Sequence, residues 1–191
     1  MASERGEATL SHDAGDQPRV AGKPLPDLVL AFLSCPQDAA RNYVGAVLVA
    51  DYRARPLEFS YVSPVRPTVL QKILYGKTLQ EHVLIDVIAR KLMETNGRRP
   101  DVVFVNSREL LAARRIQQAP VAFLSRASEP ASSGPRLSTL TYDTGDRKDD
   151  GEIVGEIVGH LELLIDLLEP FDRIQEALKE TIKSGTSQAQ S

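Results

Sequence analysis

Residues 56–83, PLEFSYVSPVRPTVLQKILYGKTLQEHV, change character twice and thereby decide the fold. At the start Leu57, Phe59 and Tyr61 share one face while Glu58 and Ser60 take the other, the alternation of a half-buried strand. Pro64 and Pro67 cannot donate ladder hydrogen bonds and hold the residues before them extended. They are therefore expected to end the strand and to keep a helix from starting early. Thr68 with Gln71 three residues on is a capping-box pattern, Thr78 with Glu81 is a second, and Gly76 between them is a helix-stop signal. The spacing predicts two helical pieces, about 69–75 and 79–95, or one kinked helix. Leu84, Ile85, Ile88 and Leu92 then share a stripe that packs on a sheet.

Upstream lie two more apolar runs, DLVLAFLSC (27–35) and NYVGAVLVADY (42–52), joined by short polar links; with 56–63 they predict a three-stranded antiparallel meander. Downstream, DVVFVN (101–106) is a short unbroken apolar strand of the kind buried on both faces of a parallel sheet. A helix through about Gln118, a strand PVAFLSR (120–126) and an edge strand within RLSTLTY (136–142) follow. The last element reads as a long C-terminal helix from about Asp150 to Glu169, where Pro170 breaks it, resuming from Asp172 to about Ile182. The expected fold class is α/β: a meander, then alternating helices and strands in one mixed sheet, then a long C-terminal helix. Residues 1–26 and 183–191 read as a flexible arm and tail around a single domain at 27–182, and 127–135 as a mobile loop.

A chain of 191 residues with 42% apolar content has material for one sizeable core. The single Cys35 excludes an internal disulfide framework and a cysteine-rich zinc site. No run approaches the ~18 apolar residues of a membrane span, and the polar start lacks the apolar segment of a secretory signal, which points to a soluble, cytoplasmic protein with no membrane partner. The net charge of −3 hides a division: Arg53 to Arg126 carries 13 basic against 6 acidic residues, and Asp143 to Glu180 carries 4 against 12. Such halves either complement each other within the molecule or offer a basic face to phosphate and an acidic helix to a protein.

In outline, three antiparallel strands followed by helix, strand, helix, strand and terminal helix resemble the ribonuclease H-like fold, over roughly residues 27–169. VVFVNS at 102–107 is similar to that family's apolar fourth strand, which ends in a catalytic Asp and a Ser. The resemblance implies carboxylates on the first strand, the first helix, the end of the fourth strand and near the last helix, holding two Mg²⁺ ions around the scissile phosphate. Here the first strand has Leu33 and Ser34, the first helix Gln71 and the fourth strand Asn106; only the last place keeps acids, among Asp143, Asp146, Asp149 and Asp150. Neutral side chains do not offset the charge of two hard cations, so the resemblance implies a fold with a degenerate site at Leu33, Gln71 and Asn106 and no catalytic metal. A bland reading stands beside it, in which Gln71 closes a capping box and Asn106 with Glu109 caps the next helix.

No cofactor is expected, because neither common phosphate-binding glycine loop is present and His12, His82 and His160 share no metal-ligand spacing. The densest basic group, Arg66, Lys72 and Lys77 beside Tyr75, is the candidate nucleic-acid contact. Arg98, Arg99, Arg108, Arg114 and Arg115 widen it if they share its side. Gly151, Gly155 and Gly159 recur every four residues and make a bare helix face, suited to a protein partner, a second copy or this domain's own sheet. The expected function is a non-catalytic ribonuclease H-like binding module, a subunit or adaptor of a nucleic-acid-handling assembly. The alternatives are a metal-dependent nuclease or phosphoesterase built from dispersed acids such as Asp51, Glu58, Glu81, Asp86 and Asp143, and a homo-oligomeric structural protein.

Overall fold

Strands whose side chains are apolar on both faces need a layer on each side, and the chain supplies both. The structure is a computed structural model, describing residues 18–38, 40–126 and 140–188. A small hairpin, β1 (Arg19–Val20) and β2 (Lys23–Pro24), leads into β3 (Leu30–Ser34), β4 (Tyr43–Ala50) and β5 (Pro56–Val65). Helix α1 (Val69–Tyr75) follows, then α2 (Leu79–Glu81), a π-helical run His82–Ala89 and α3 (Arg90–Thr95). Next come β6 (Val102–Val105), a 3-10 helix Arg108–Arg115, β7 (Val121–Arg126), β8 (Leu140–Asp143), α4 (Lys148–Leu161) and α5 (Glu169–Gln188).

The main sheet has the order β5-β4-β3-β6-β7-β8. Its first three strands are antiparallel, β6 and β7 run parallel to β3, and β8 returns antiparallel. The mixed α/β sheet expected from the sequence is therefore present, with the meander on one side and the alternating units on the other. Since β3 and β6 are the central pair, they are buried on both faces, and DVVFVN has no polar alternation for that reason. Phe32, Leu48 and Phe104 meet Ile157, Phe171 and Ile174 on one face, with Phe32 edge-on to Phe171 at 5.6 Å. Leu33, Val47 and Val105 meet Ile85, Ile88, Leu92 and Leu110 on the other. Each such side chain contributes roughly 1.5–3 kcal/mol by leaving water. Gly45 of β4 lets the π-helical run approach closely, since a Cβ there would collide with Cγ2 of Ile88.

Several boundaries differ from expectation, each for a local reason. The folded part begins before residue 27: Val20, Leu25 and Leu28 are buried in the first core, so the end of the supposed arm is structured. Strand β5 continues through Pro64 to Val65; it is the sheet's edge, where a missing N–H leaves no ladder bond unmade, and the chain turns only afterwards. The segment after β6 is a 3-10 helix. The expected long C-terminal helix is two helices, because α4 stops at Leu161 and Pro170 lies in the first turn of α5, where a proline's missing donor costs nothing. Backbone helix extends to Gln188 through most of the expected tail. Residues 127–135 and 136–139 of the expected loop and edge strand lie outside the described residues, as does His12.

Candidate functional site at the ends of the central strands

Parallel neighbours β3 and β6 finish at the same level, because Leu33 pairs in register with Val105. The next residues, Ser34 and Asn106, therefore stand side by side, and the Asn106 amide nitrogen donates to Ser34 Oγ at 3.0 Å. Ser34 is 1% exposed. Two neutral groups thus satisfy each other where the sheet's central strands open toward the connecting loops. The expected third-residue cap does not use Asn106: the residue at the start of the 3-10 helix is Ser107, whose hydroxyl donates to the Glu109 carboxylate and holds it below its usual range.

The three positions read as a degenerate site are not gathered together. Leu33 is fully buried on the opposite face, among Val47, Val105 and Ile85. Gln71 is exposed on α1, where its side chain accepts from the Thr68 N–H at 2.8 Å and its own N–H donates to Thr68 Oγ1 at 3.2 Å, the complete capping box. Ser34, not Leu33, meets Asn106. The second expected box is absent, since the Thr78 hydroxyl donates to the Tyr75 carbonyl and Glu81 reaches Arg115.

Acids near this end of the sheet are held by arginines of the 3-10 helix. Arg108 pairs with Asp143 and lies over the Phe123 ring, and Arg115 bridges Glu81 and Asp86. Asp143 sits below the ordinary carboxylate range chiefly through the Gly145 N–H and then through Arg108; Asp86 does so chiefly through Arg115 and less through His82. Arg114 forks onto Asp150 at 2.7 and 3.2 Å, a pair in which the carboxylate is buried and the arginine is 22% exposed. The basic middle and the acidic C-terminal part therefore complement each other inside the molecule. Of the other dispersed acids, Asp51 accepts from the Arg53 and Arg55 N–H groups of its turn and Glu58 from Gly97. Among the described residues no group of three or more His, Cys, Asp and Glu is placed to hold a metal ion.

The remaining cations differ. Arg66, Lys72 and Lys77 are exposed and form no ion pair among the described residues. Lys77 and Arg108 border a cleft of about 340 Å³ with Glu81 and Glu109. Tyr75 has one ring face taken by His82, stacked at 4.3 Å. Arg98 and Arg99 lie elsewhere, at the other end of the strands, lining a cleft of about 520 Å³ with Asn96, Asp101 and Gln118. Asn96 there has both amide atoms buried without a partner, which the sequence does not reveal because Asn-Gly after a helix reads simply as its stop.

The glycine face divides as well. A Cβ on Gly155 would stand 2.6 Å from the Tyr142 hydroxyl, so this glycine serves packing on β8, whereas Gly151 is relaxed against Thr144 and Gly159 faces open space. Cys35 packs beneath Gly45, and burial pushes its thiol up to about 12, far from a nucleophile's range. Among the described residues no helix is long and apolar enough to cross a membrane. No protein-family model matches the chain, and no curated protein matches it.

Proposed function

We propose that this chain is a ribonuclease H-like binding module without catalytic metals, working as a subunit or adaptor of a nucleic-acid-handling assembly. The observation that carries the reading is the Ser34–Asn106 pair. It stands at the adjacent ends of the first strand and the first parallel strand, where the resemblance implies two carboxylates, and offers neutral groups already bonded to each other. A meander whose first strand is followed outward by two parallel neighbours suits the same resemblance. With Arg108, Arg114 and Arg115 paired to carboxylates and Arg98 and Arg99 at the other end of the strands, the nucleic-acid face narrows to Arg66, Lys72 and Lys77, which form no ion pair among the described residues, with Tyr75 beside them.

Fluorescence anisotropy with a labelled RNA–DNA hybrid and a DNA duplex tests the binding arm. Affinity should fall steeply with salt, and Lys72→Ala with Lys77→Ala should flatten the dependence by about one unit of slope for each phosphate no longer neutralised. Incubation of the same strands with Mg²⁺ or Mn²⁺ tests the other arm: both should stay intact. Cleavage that EDTA abolishes overturns the non-catalytic reading, and salt-insensitive or absent binding overturns the nucleic-acid reading.

A further inference from the structure

Helix α1 is built inside out. Val69, Leu70, Ile73 and Leu74 are 74%, 64%, 71% and 72% exposed, and the helix buries no residue at all. Spacing i, i+1, i+4, i+5 puts these four on one continuous stripe, while Tyr75, on the far side of the helix, stacks on His82. A seven-residue helix has little stability of its own in water, so an uncovered apolar stripe on it calls for a cover. Its rim carries the cations Arg66, Lys72 and Lys77, with no acid between Arg66 and Gln80 in the sequence, while Asp38 lies near Arg66 and Glu81 and Glu109 border the cleft beside Lys77.

At the other edge of the sheet the situation is reversed. Strand β8 ends the sheet opposite β5, and α4 lies against it through Gly155 and Tyr142. The outward side of α4 carries Asp149, Glu152 and Glu156, exposed and without an ion pair among the described residues. Interspersed are Ile153, 38% exposed, and the open Gly159, and just beyond the helix end comes Leu163, 79% exposed. An acidic face studded by Ile153 and Leu163, with one open glycine at Gly159, complements a basic-rimmed apolar stripe, and the two lie at opposite edges of one sheet.

We propose that the occupant of the α1 stripe is the outer face of α4 on a second copy of this chain, a heterologous, head-to-tail contact. Two copies placed stripe to stripe are disfavoured, because Lys72 and Lys77 of each would face those of the other. A head-to-tail contact leaves one face of each kind open at every step, so assembly continues into a ring or a chain. The rim of the α1 stripe is the same Arg66, Lys72 and Lys77 assigned above to phosphate, so a second copy and nucleic acid compete for it; the contact is measured without nucleic acid, and its failure leaves the nucleic-acid reading intact.

Sedimentation velocity of the full chain across a concentration series should show the mass climbing from the 20.9 kDa monomer past twice that value, and falling back as salt is raised. The pair Leu70→Asp with Ile73→Asp should abolish this, and so should Ile153→Lys with Leu163→Lys, each variant keeping its circular dichroism. Mixed together, the two variants retain one intact α1 and one intact α4 between them and should form a heterodimer that grows no further. A wild type that stays monomeric throughout overturns the proposal, as does assembly that survives either variant. A mixture that fails to form the heterodimer overturns the head-to-tail arrangement.

Discussion

Helix α1, VLQKILY, and the π-helical run His82–Ala89, HVLIDVIA, are separated by six residues and have similarly apolar sequences. One buries nothing, and the other buries Val83, Leu84, Ile85, Ile88 and Ala89. Composition does not separate them. Position does: the second crosses the sheet over β4, where Gly45 leaves room for Ile88, while α1 follows β5, the outermost strand. Apolar character is a demand for cover, and whether the demand is met within the chain depends on what the topology has put beneath.

The strongest way to break this contrast is to truncate the covered member. Ile85→Ala should destabilise the domain by about 4 kcal/mol, since Ile85 is fully buried and its removal leaves a cavity between helix and sheet; urea unfolding reports the loss as a shifted midpoint at constant slope. A loss under about 1 kcal/mol would mean that this run is not packed on β4.

The polar counterpart is the pairing of Asp150 with Arg114, set against Lys72, which forms no ion pair among the described residues. Asp150→Ala should cost about 3 kcal/mol by leaving a guanidinium largely out of water with no anion, and the double variant with Arg114→Met should recover much of it. Lys72→Ala, by contrast, should leave the unfolding midpoint unmoved. Next in size comes the acid limb. The Asp86 and Asp143 carboxyls are held below their unfolded value near about 4, so their contribution is fully present above that pH and is lost as pH falls through their folded values. Arg115→Gln and Arg108→Gln together should flatten the decline of stability below about pH 4, read by urea titrations at stepped pH.

What is legible in the sequence follows the same division. Unbroken apolar runs locate β3, β4 and both parallel strands, because burial on both faces leaves its mark in the chain itself; alternation locates β5 but not its covered side, since at this sheet edge Leu57, Phe59 and Tyr61 are exposed and Val62 is the buried residue. The capping box at Thr68 and Gln71 is legible for a similar reason: all its partners lie close together along the chain. Pro64 and Pro170 mislead, since a proline's effect depends on whether an absent N–H had a partner, and that is fixed by the sheet edge and by the helix start. The Ser34–Asn106 contact joins residues 72 apart, so it can be expected only by assuming a topology, and the register of β3 against β6 then chooses Ser34 over Leu33. The inverted exposure of α1 leaves no local mark at all.

Two smaller tests sharpen the comparison. Thr68→Ala removes the box that holds α1 in place of packing and should cost about 1 kcal/mol of local helix stability. Amide exchange is the sensitive probe: protection over 69–75 should fall while that of 83–92 stays unchanged.

The smallest effect on stability is also the most informative. Ile73→Gln substitutes a polar side chain at a site 71% exposed, on a helix that buries no residue, so in the dilute monomer the unfolding free energy should change by no more than about 0.5 kcal/mol. An equally apolar residue twelve positions on, Ile85, is expected to cost several times more. If Ile73→Gln proves as costly as a core truncation, α1 is covered within the monomer, and the outward stripe on which self-association rests does not exist. If the monomer tolerates it while the concentration-dependent mass disappears, the side chain's contribution lies between molecules, where its apolar character finds the cover that the edge of the sheet cannot provide.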